Sequence, residues 1–234
     1  MSSGLDKLRR ELGKLADKKR AVVLQRFFKT GVGEYGYGDI FLGLTVPQSR
    51  KIAIKYRALP FPQIVKLLKS KIHEERLIAL LILVHNFNIG DEKEQEKIFD
   101  FYIKNTKFVN KWDLVDLSAD KIVGGYLIDK PKDILYKLVQ SENLWEKRIS
   151  MVATYYFIKN RKFDNALKIA QILLSDRADL IQKAVGWMLR EIGNRDKAVE
   201  ERFLRKHYGK MGRTALRYSI EKFPQEKRRV YLKK

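Results

Sequence analysis

Trp112 and Asp116 stand four residues apart in Lys-Trp-Asp-Leu-Val-Asp, and Asp120 follows one turn later. On a helix this spacing puts an indole and a carboxylate on one face. Lys183, Trp187 and Arg190 form a second such set, spaced by four and three, and between the two sets lies Arg148, with Trp145 one turn before it. All three tryptophans of the chain fall in this stretch. Cations beside aromatic faces suit nucleic acid, the cations holding phosphates and the rings holding sugars or bases. A carboxylate among them can stabilise positive charge or take a proton from water. Singly, each tryptophan reads first as a core residue and Asp116 as a solvated helix carboxylate. A packing layer, however, gives no reason for an aspartate between two indoles and three cations.

Composition narrows the chemistry. The 234 residues carry 49 Lys and Arg against 28 Asp and Glu, a formal charge of +21, which favours polyanions or an anionic membrane surface as partners. The absence of cysteine excludes disulfide frameworks, thiolate-bound zinc and thiol catalysis. His73, His85 and His207 are too scattered for a histidine-rich metal site, so no metal and no cofactor is expected. The N-terminal stretch is charged throughout and unlike a signal peptide, and the longest apolar run, Leu77 to Val84, is far below membrane-helix length. A soluble, cytoplasmic, monomeric protein is expected. Gly31-Val-Gly33-Glu-Tyr-Gly36 matches a dinucleotide-binding pattern but has no strand before it, and reads as a flexible connecting loop. Asp113, Asp116 and Asp120 raise a metal-dependent nuclease as an alternative, weakened by Asp113 lying off the face of the other two and by the cationic setting.

The elements that must position these residues are helical. Large apolar residues recur at three and four in Phe61 to Leu68, Leu77 to Phe87, Ile134 to Val139, Ile149 to Ile158, Ala166 to Leu174 and Ala184 to Ile192. Pro60 to Pro62, Lys130-Pro131 and Gly193-Asn194 break the runs. Overlaid, the segments form pairs in which a first helix precedes a more hydrophobic second one. Steps of 36, 36 and 35 residues lead from Arg76 to Trp112, Arg148 and Lys183, near the starts of successive second helices. This spacing lies within the range of helix-pair repeats. The fold expected is all-α: a right-handed superhelical solenoid of HEAT-like repeats with a concave basic face, where equivalent positions of successive repeats meet. A single domain is expected, with a helical cap at 1–28, a glycine-rich loop at 29–47, repeats over 48–223 and a basic tail at 224–234. From Glu201 onward there are 12 Lys and Arg against 3 Glu, Arg213 and Arg217 among them, whereas Asp91 to Asp100 is acidic and expected to face away from phosphate.

The segments KTGVGEYGYGDIFLGLTVP, NKWDLVDLSA, SENLWEKRISMVATYYFI, DLIQKAVGWMLREIG and RTALRYSIEKF together resemble the AlkD-like family of DNA alkylation repair enzymes, HEAT-like-repeat DNA glycosylases, over about Lys29 to Phe223. The resemblance implies excision of cationic alkylated purines, N3-methyladenine and N7-methylguanine, from double-stranded DNA. Carried over by motif, Asp116 is the catalytic carboxylate, Trp112 and Trp187 hold the deoxyribose and backbone of the lesion, and Arg148 completes the cleft. Lys183, Arg190, Arg76, Lys147, Arg213 and Arg217 are the expected DNA contacts. Gly212 stands where related sequences often carry proline, which puts the docking of Arg213 in question.

One carboxylate suffices for that reaction. A purine alkylated at N3 or N7 is already cationic and leaves neutral without a proton donor, unlike the leaving group of an ordinary glycoside hydrolase. What remains is to stabilise charge growing on the sugar and to place a water, and indole faces add about 0.5–2 kcal/mol of cation–π attraction. No lysine is placed as a nucleophile, so base release without strand nicking is expected. The resemblance implies a grip on the sugar-phosphate from outside the stack rather than base flipping. A non-catalytic module binding damaged or branched DNA is the main alternative, and a protein-interaction scaffold is a further one.

Overall fold

The computed structural model describes residues 3–233; Met1, Ser2 and Lys234, at the ends of the expected cap and tail, lie outside them. The regular elements are helices, and the extended pairing among the described residues is one isolated parallel bridge between Ile40 and Ile72. The chain is all-α, as its apolar periodicity requires. Among the described residues no helix is long and apolar enough to cross a membrane. Packing divides the chain into two compact units, residues 1–118 and 119–234.

The first unit contains α1 (Gly4–Leu15), α2 (Lys18–Phe27), α3 (Val46–Lys55), α4 (Phe61–Leu68), α5 (His73–Ile89), α6 (Glu92–Lys104) and α7 (Trp112–Ala119). Helix starts follow local chemistry. Ser3 with Asp6 and Thr45 with Gln48 form capping boxes at α1 and α3, and Asp17 and Asp91 cap α2 and α6. The Thr45 box and Pro47 in the first turn start α3 at Val46, two residues before the expected start of the repeats. Helix α5 is apolar on every side from Leu77 to Val84 and buried accordingly, packed by α3, α4 and α6. The cap joins this core through buried Leu5, Leu8 and Leu12 and through Arg9, which grips the Glu75 carboxylate with two bonds of 2.9 Å.

The end of the glycine-rich segment, from Ile40 to Leu44, is held by hydrogen bonds to α5 and the residues just before it. The buried Glu74 carboxylate accepts the N–H groups of Leu42, Gly43 and Leu44 at 2.8–3.2 Å, and across the bridge Ile40 donates its N–H to the Lys71 carbonyl at 2.9 Å and accepts the His73 N–H at 2.8 Å. Gly43, at φ 88°, takes a left-handed turn against the backbone of Asp17, where a Cβ would overlap the carbonyl. The sequence marks the turn but not the carboxylate that holds it.

The second unit opens on a π-helical turn (Asp120–Gly124) and α8 (Gly125–Leu127), followed by α9 (Asp133–Val139), α10 (Leu144–Lys159), α11 (Asp164–Ile172), α12 (Asp179–Gly193), α13 (Lys197–His207), α14 (Arg213–Ser219) and α15 (Gln225–Leu232). The expected pairs are present: α9 packs on α10, α11 on α12, and α12 on both α13 and α14, while α10 and α12 lie side by side. Gly186 lets α14 approach closely, since a Cβ there would overlap the Ala215 carbonyl. The basic tail is helical, with Tyr231 buried.

Glu200 is only 2% exposed, and its Oε1 has no hydrogen-bond partner among the described residues. Burial, reinforced by neighbouring Glu201, pushes its carboxyl up to about 8. A carboxyl raised above its unfolded value costs nothing below that value and destabilises progressively as pH rises through the folded one. Glu200→Gln is therefore expected to stabilise the protein by about 4–5 kcal/mol at pH 9, with the two unfolding curves converging near pH 4. Urea titrations of both proteins at the two pH values measure this directly.

Candidate functional site

Trp112 opens α7 and Asp116 follows one turn later, both half-buried. The indole is fixed from the cap: Phe28 stacks on it at 5.1 Å and 10°, and Phe27 meets it edge-on at 5.8 Å. Phe28 stacks in turn on Phe41 at 4.9 Å, and Phe41 on His73 at 4.5 Å. The residues flanking Trp112 are buried and ionically tied. Lys111 reaches Asp39 at 3.3 Å and the Tyr35 carbonyl at 3.2 Å, and Asp113 pairs with His73 Nε2 at 2.7 Å. The start of α7 is thus clamped by the loop and by α5, which sets where Trp112 and Asp116 sit.

The centre of that clamp is Asp39, 8% exposed, with Arg76 at 2.6 Å, Lys111 at 3.3 Å and His73 Nδ1 at 3.7 Å. Burial alone would raise its pKa; hydrogen bonds from His73 and Arg76 and the charges of Arg76 and Lys111 outweigh burial and hold it at about 2. Burial opposes the charged form of His73, but Asp113 and Asp39 win and raise its pKa. Arg76, expected on the DNA face, is 4% exposed and spends its guanidinium on Asp39 and the Ser70 carbonyl. It is a structural residue, and a repeat register alone does not distinguish a trough position from a core one. Phe27, Phe28 and the Asp39 cluster were not singled out from the sequence, because no local spacing links them to Trp112.

The aspartates of the nuclease alternative are separately committed. Asp113 is bound to His73, and in the second unit Asp120, 3% exposed, is paired with Lys121 at 2.9 Å and Lys159 at 3.0 Å.

In the second unit, Lys183, Trp187 and Arg190 lie along α12 as their spacing predicts, all partly exposed. Trp187 leans on Tyr155 at 5.6 Å, whose ring also receives Lys159 at 4.8 Å and Arg195 at 5.6 Å. Tyr155 was hidden in the apolar run of α10. Arg148 is 4% exposed and donates to the Leu180 carbonyl at 2.5 Å, which ties α10 to the start of α12. Counted from the first helical residue, Asp116, Arg148 and Lys183 each stand fifth, whereas Trp112 stands first. The carboxylate, rather than the indole, holds the register of the two cations.

The remaining expected contacts lie near the surface. Lys147 pairs with Asp176 at 2.9 Å, Lys183 with Asp179 at 2.8 Å, and Arg190 with Glu221. Pairs of this kind are weak, so a phosphate can displace the acid. Gly212 caps α14 at φ −61°, the angle a proline ring would fix, so the helix starts as it would with proline. Arg213 there donates to the Leu232 carbonyl at 2.8 Å, and Arg217 is exposed one turn on.

The model of the family described as DNA alkylation repair enzyme matches residues 8–223. No curated protein matches the chain by sequence. In fold the chain is similar to the solved structure of a predicted DNA alkylation repair enzyme from Enterococcus faecalis, with a TM-score of 0.69 at 15% identity over 90% of this chain and 97% of that one. With a family model spanning nearly its whole length, the chain belongs to the DNA alkylation repair enzyme family.

Proposed function

We propose that the protein is a monofunctional DNA glycosylase that hydrolyses the N-glycosidic bond of N3-methyladenine and N7-methylguanine in duplex DNA, acting as a monomer and without a cofactor. The observation that carries this reading is the half-buried Asp116, one turn from an indole whose orientation Phe27 and Phe28 fix, on a helix with an ionically clamped start. In this reading Trp112, Asp116, Arg148 and Trp187 all act on one deoxyribose.

The alkylated base departs as a neutral purine, taking the electron pair of the C1′–N bond and leaving positive charge on the sugar. The Asp116 carboxylate stabilises that charge and accepts a proton from the water that adds to C1′. Trp112 and Trp187 are assigned to the sugar and its backbone, and Arg148 to the same lesion. Lys183, Arg190, Lys147, Arg213 and Arg217 contact flanking phosphates, giving a strongly salt-dependent affinity.

The test is release of free N7-methylguanine and N3-methyladenine from methylated duplex DNA, resolved by chromatography. Release without strand breaks is expected. Salt-dependent binding with no release would replace the enzyme by a non-catalytic binding module, and cleavage lost on chelation would restore the nuclease.

A further inference from the structure

Helix α10 ends in a Schellman turn: the Arg161 N–H bonds the Ile158 carbonyl at 3.0 Å, and the Lys162 N–H bonds the Phe157 carbonyl at 3.0 Å. The residue at the left-handed position of such a turn is ordinarily glycine. Here it is Arg161, at φ 57°, a conformation unfavourable for any residue with a Cβ. A residue that breaks a local rule without structural gain points to a function for its side chain. The Arg161 side chain lines a groove of about 680 Å³ together with Lys162, Asp164, Arg202, Lys206 and His207.

Two further features of that groove select a ligand. Helix α11 begins there, and no side chain caps its first-turn amides, which leaves the positive end of the helix open. His207 is 8% exposed and lines the same groove; its ring touches Phe203 at 4.6 Å, and the imidazole has no hydrogen-bond partner among the described residues. Asp164 is the one acid in the lining, against four basic side chains, of which Lys162 is already paired with Asp129 at 2.7 Å. Burial, with Lys206 and Lys210 nearby, holds the imidazole below its usual range.

We propose that this groove is a phosphate-binding site, in which the first-turn amides of α11 and the His207 imidazole hold one phosphate group and Arg161, Arg202 and Lys206 surround it. The phosphate belongs either to a nucleic-acid backbone or to free phosphate. None of these residues is assigned to base excision, and the site does not depend on that reading, because binding alone tests it.

The experiment uses the full chain, Arg161→Gly and Lys206→Gln. Glycine is the preferred residue at the turn, so Arg161→Gly is expected to keep or raise the thermal midpoint, which separates loss of binding from loss of fold. In the first arm, affinity for an undamaged duplex is measured against salt. If DNA supplies the phosphate, the double variant loses about one unit of the slope of log affinity on log salt, and affinity falls several-fold at low salt. In the second arm, inorganic phosphate is titrated while the His207 ring resonances are followed; movement in the wild type that is lost in Arg161→Gly supports the site. Movement with an unchanged DNA slope identifies free phosphate as the ligand. Unmoved His207 resonances together with an unchanged DNA slope overturn the proposal.

Discussion

Asp116→Asn is expected to slow release of N7-methylguanine about 10²–10⁴-fold, the range general-base catalysis supplies, while affinity for undamaged duplex stays within about threefold. The asparagine keeps the shape of the side chain and removes only its charge. The charge is what the proposed reaction needs, because the base leaves neutral and its positive charge passes to the sugar, where it must be stabilised. Asp116 is half-buried, and the thermal midpoint of the variant, measured alongside, separates loss of the charge from loss of the fold. Asp116→Glu is expected to recover little, since one extra methylene displaces the carboxylate from a reacting carbon that tolerates errors well under an ångström. Single-turnover release from methylated DNA, with binding measured in parallel, distinguishes these outcomes. Wild-type release rates in Asp116→Asn would falsify the assigned role.

Asp39→Asn is expected to be the most destabilising single change in the first unit, by about 3–5 kcal/mol at pH 7. One buried carboxylate compensates Arg76 and Lys111 and lies 3.7 Å from His73 Nδ1, and an amide leaves those cations buried without it. Its pH dependence is specific. A carboxyl held at about 2 in the fold, against 3.8 in the unfolded chain, stabilises fully above the unfolded value and loses that contribution as pH falls through the folded one. The difference between wild type and Asp39→Asn should therefore shrink by about 2 kcal/mol between pH 5 and pH 2. Urea unfolding of both proteins across that range measures it. Because Lys111 and Asp113 flank Trp112, the same variant should also reduce base release without any change at Asp116.

Much of this chain could be read in its residues. The three-and-four apolar spacing placed the second helices, and the prolines near Pro60 marked the break before α4, because these signals are local and act within one turn. The shared faces of Trp112 with Asp116 and of Lys183 with Trp187 and Arg190 followed from helical geometry alone. Arg76 was misread for the same reason. Its register matched the trough positions, but register is one-dimensional, and its partner Asp39 lies 37 residues upstream in a loop with no periodicity.

What the sequence determined by itself was therefore the helical class, the order of the pairs and the grouping of chemically capable side chains on helix faces. What only the tertiary structure decided was which charges are buried and which remain for a ligand. It made Glu74 a clamp for the glycine-rich turn, Asp39 the anchor of α7 and Phe28 the support for Trp112. Helix propensity and amphipathic spacing act over a few residues, whereas burial of a charge depends on neutralising partners brought in from far along the chain, and those are fixed only when the helices pack.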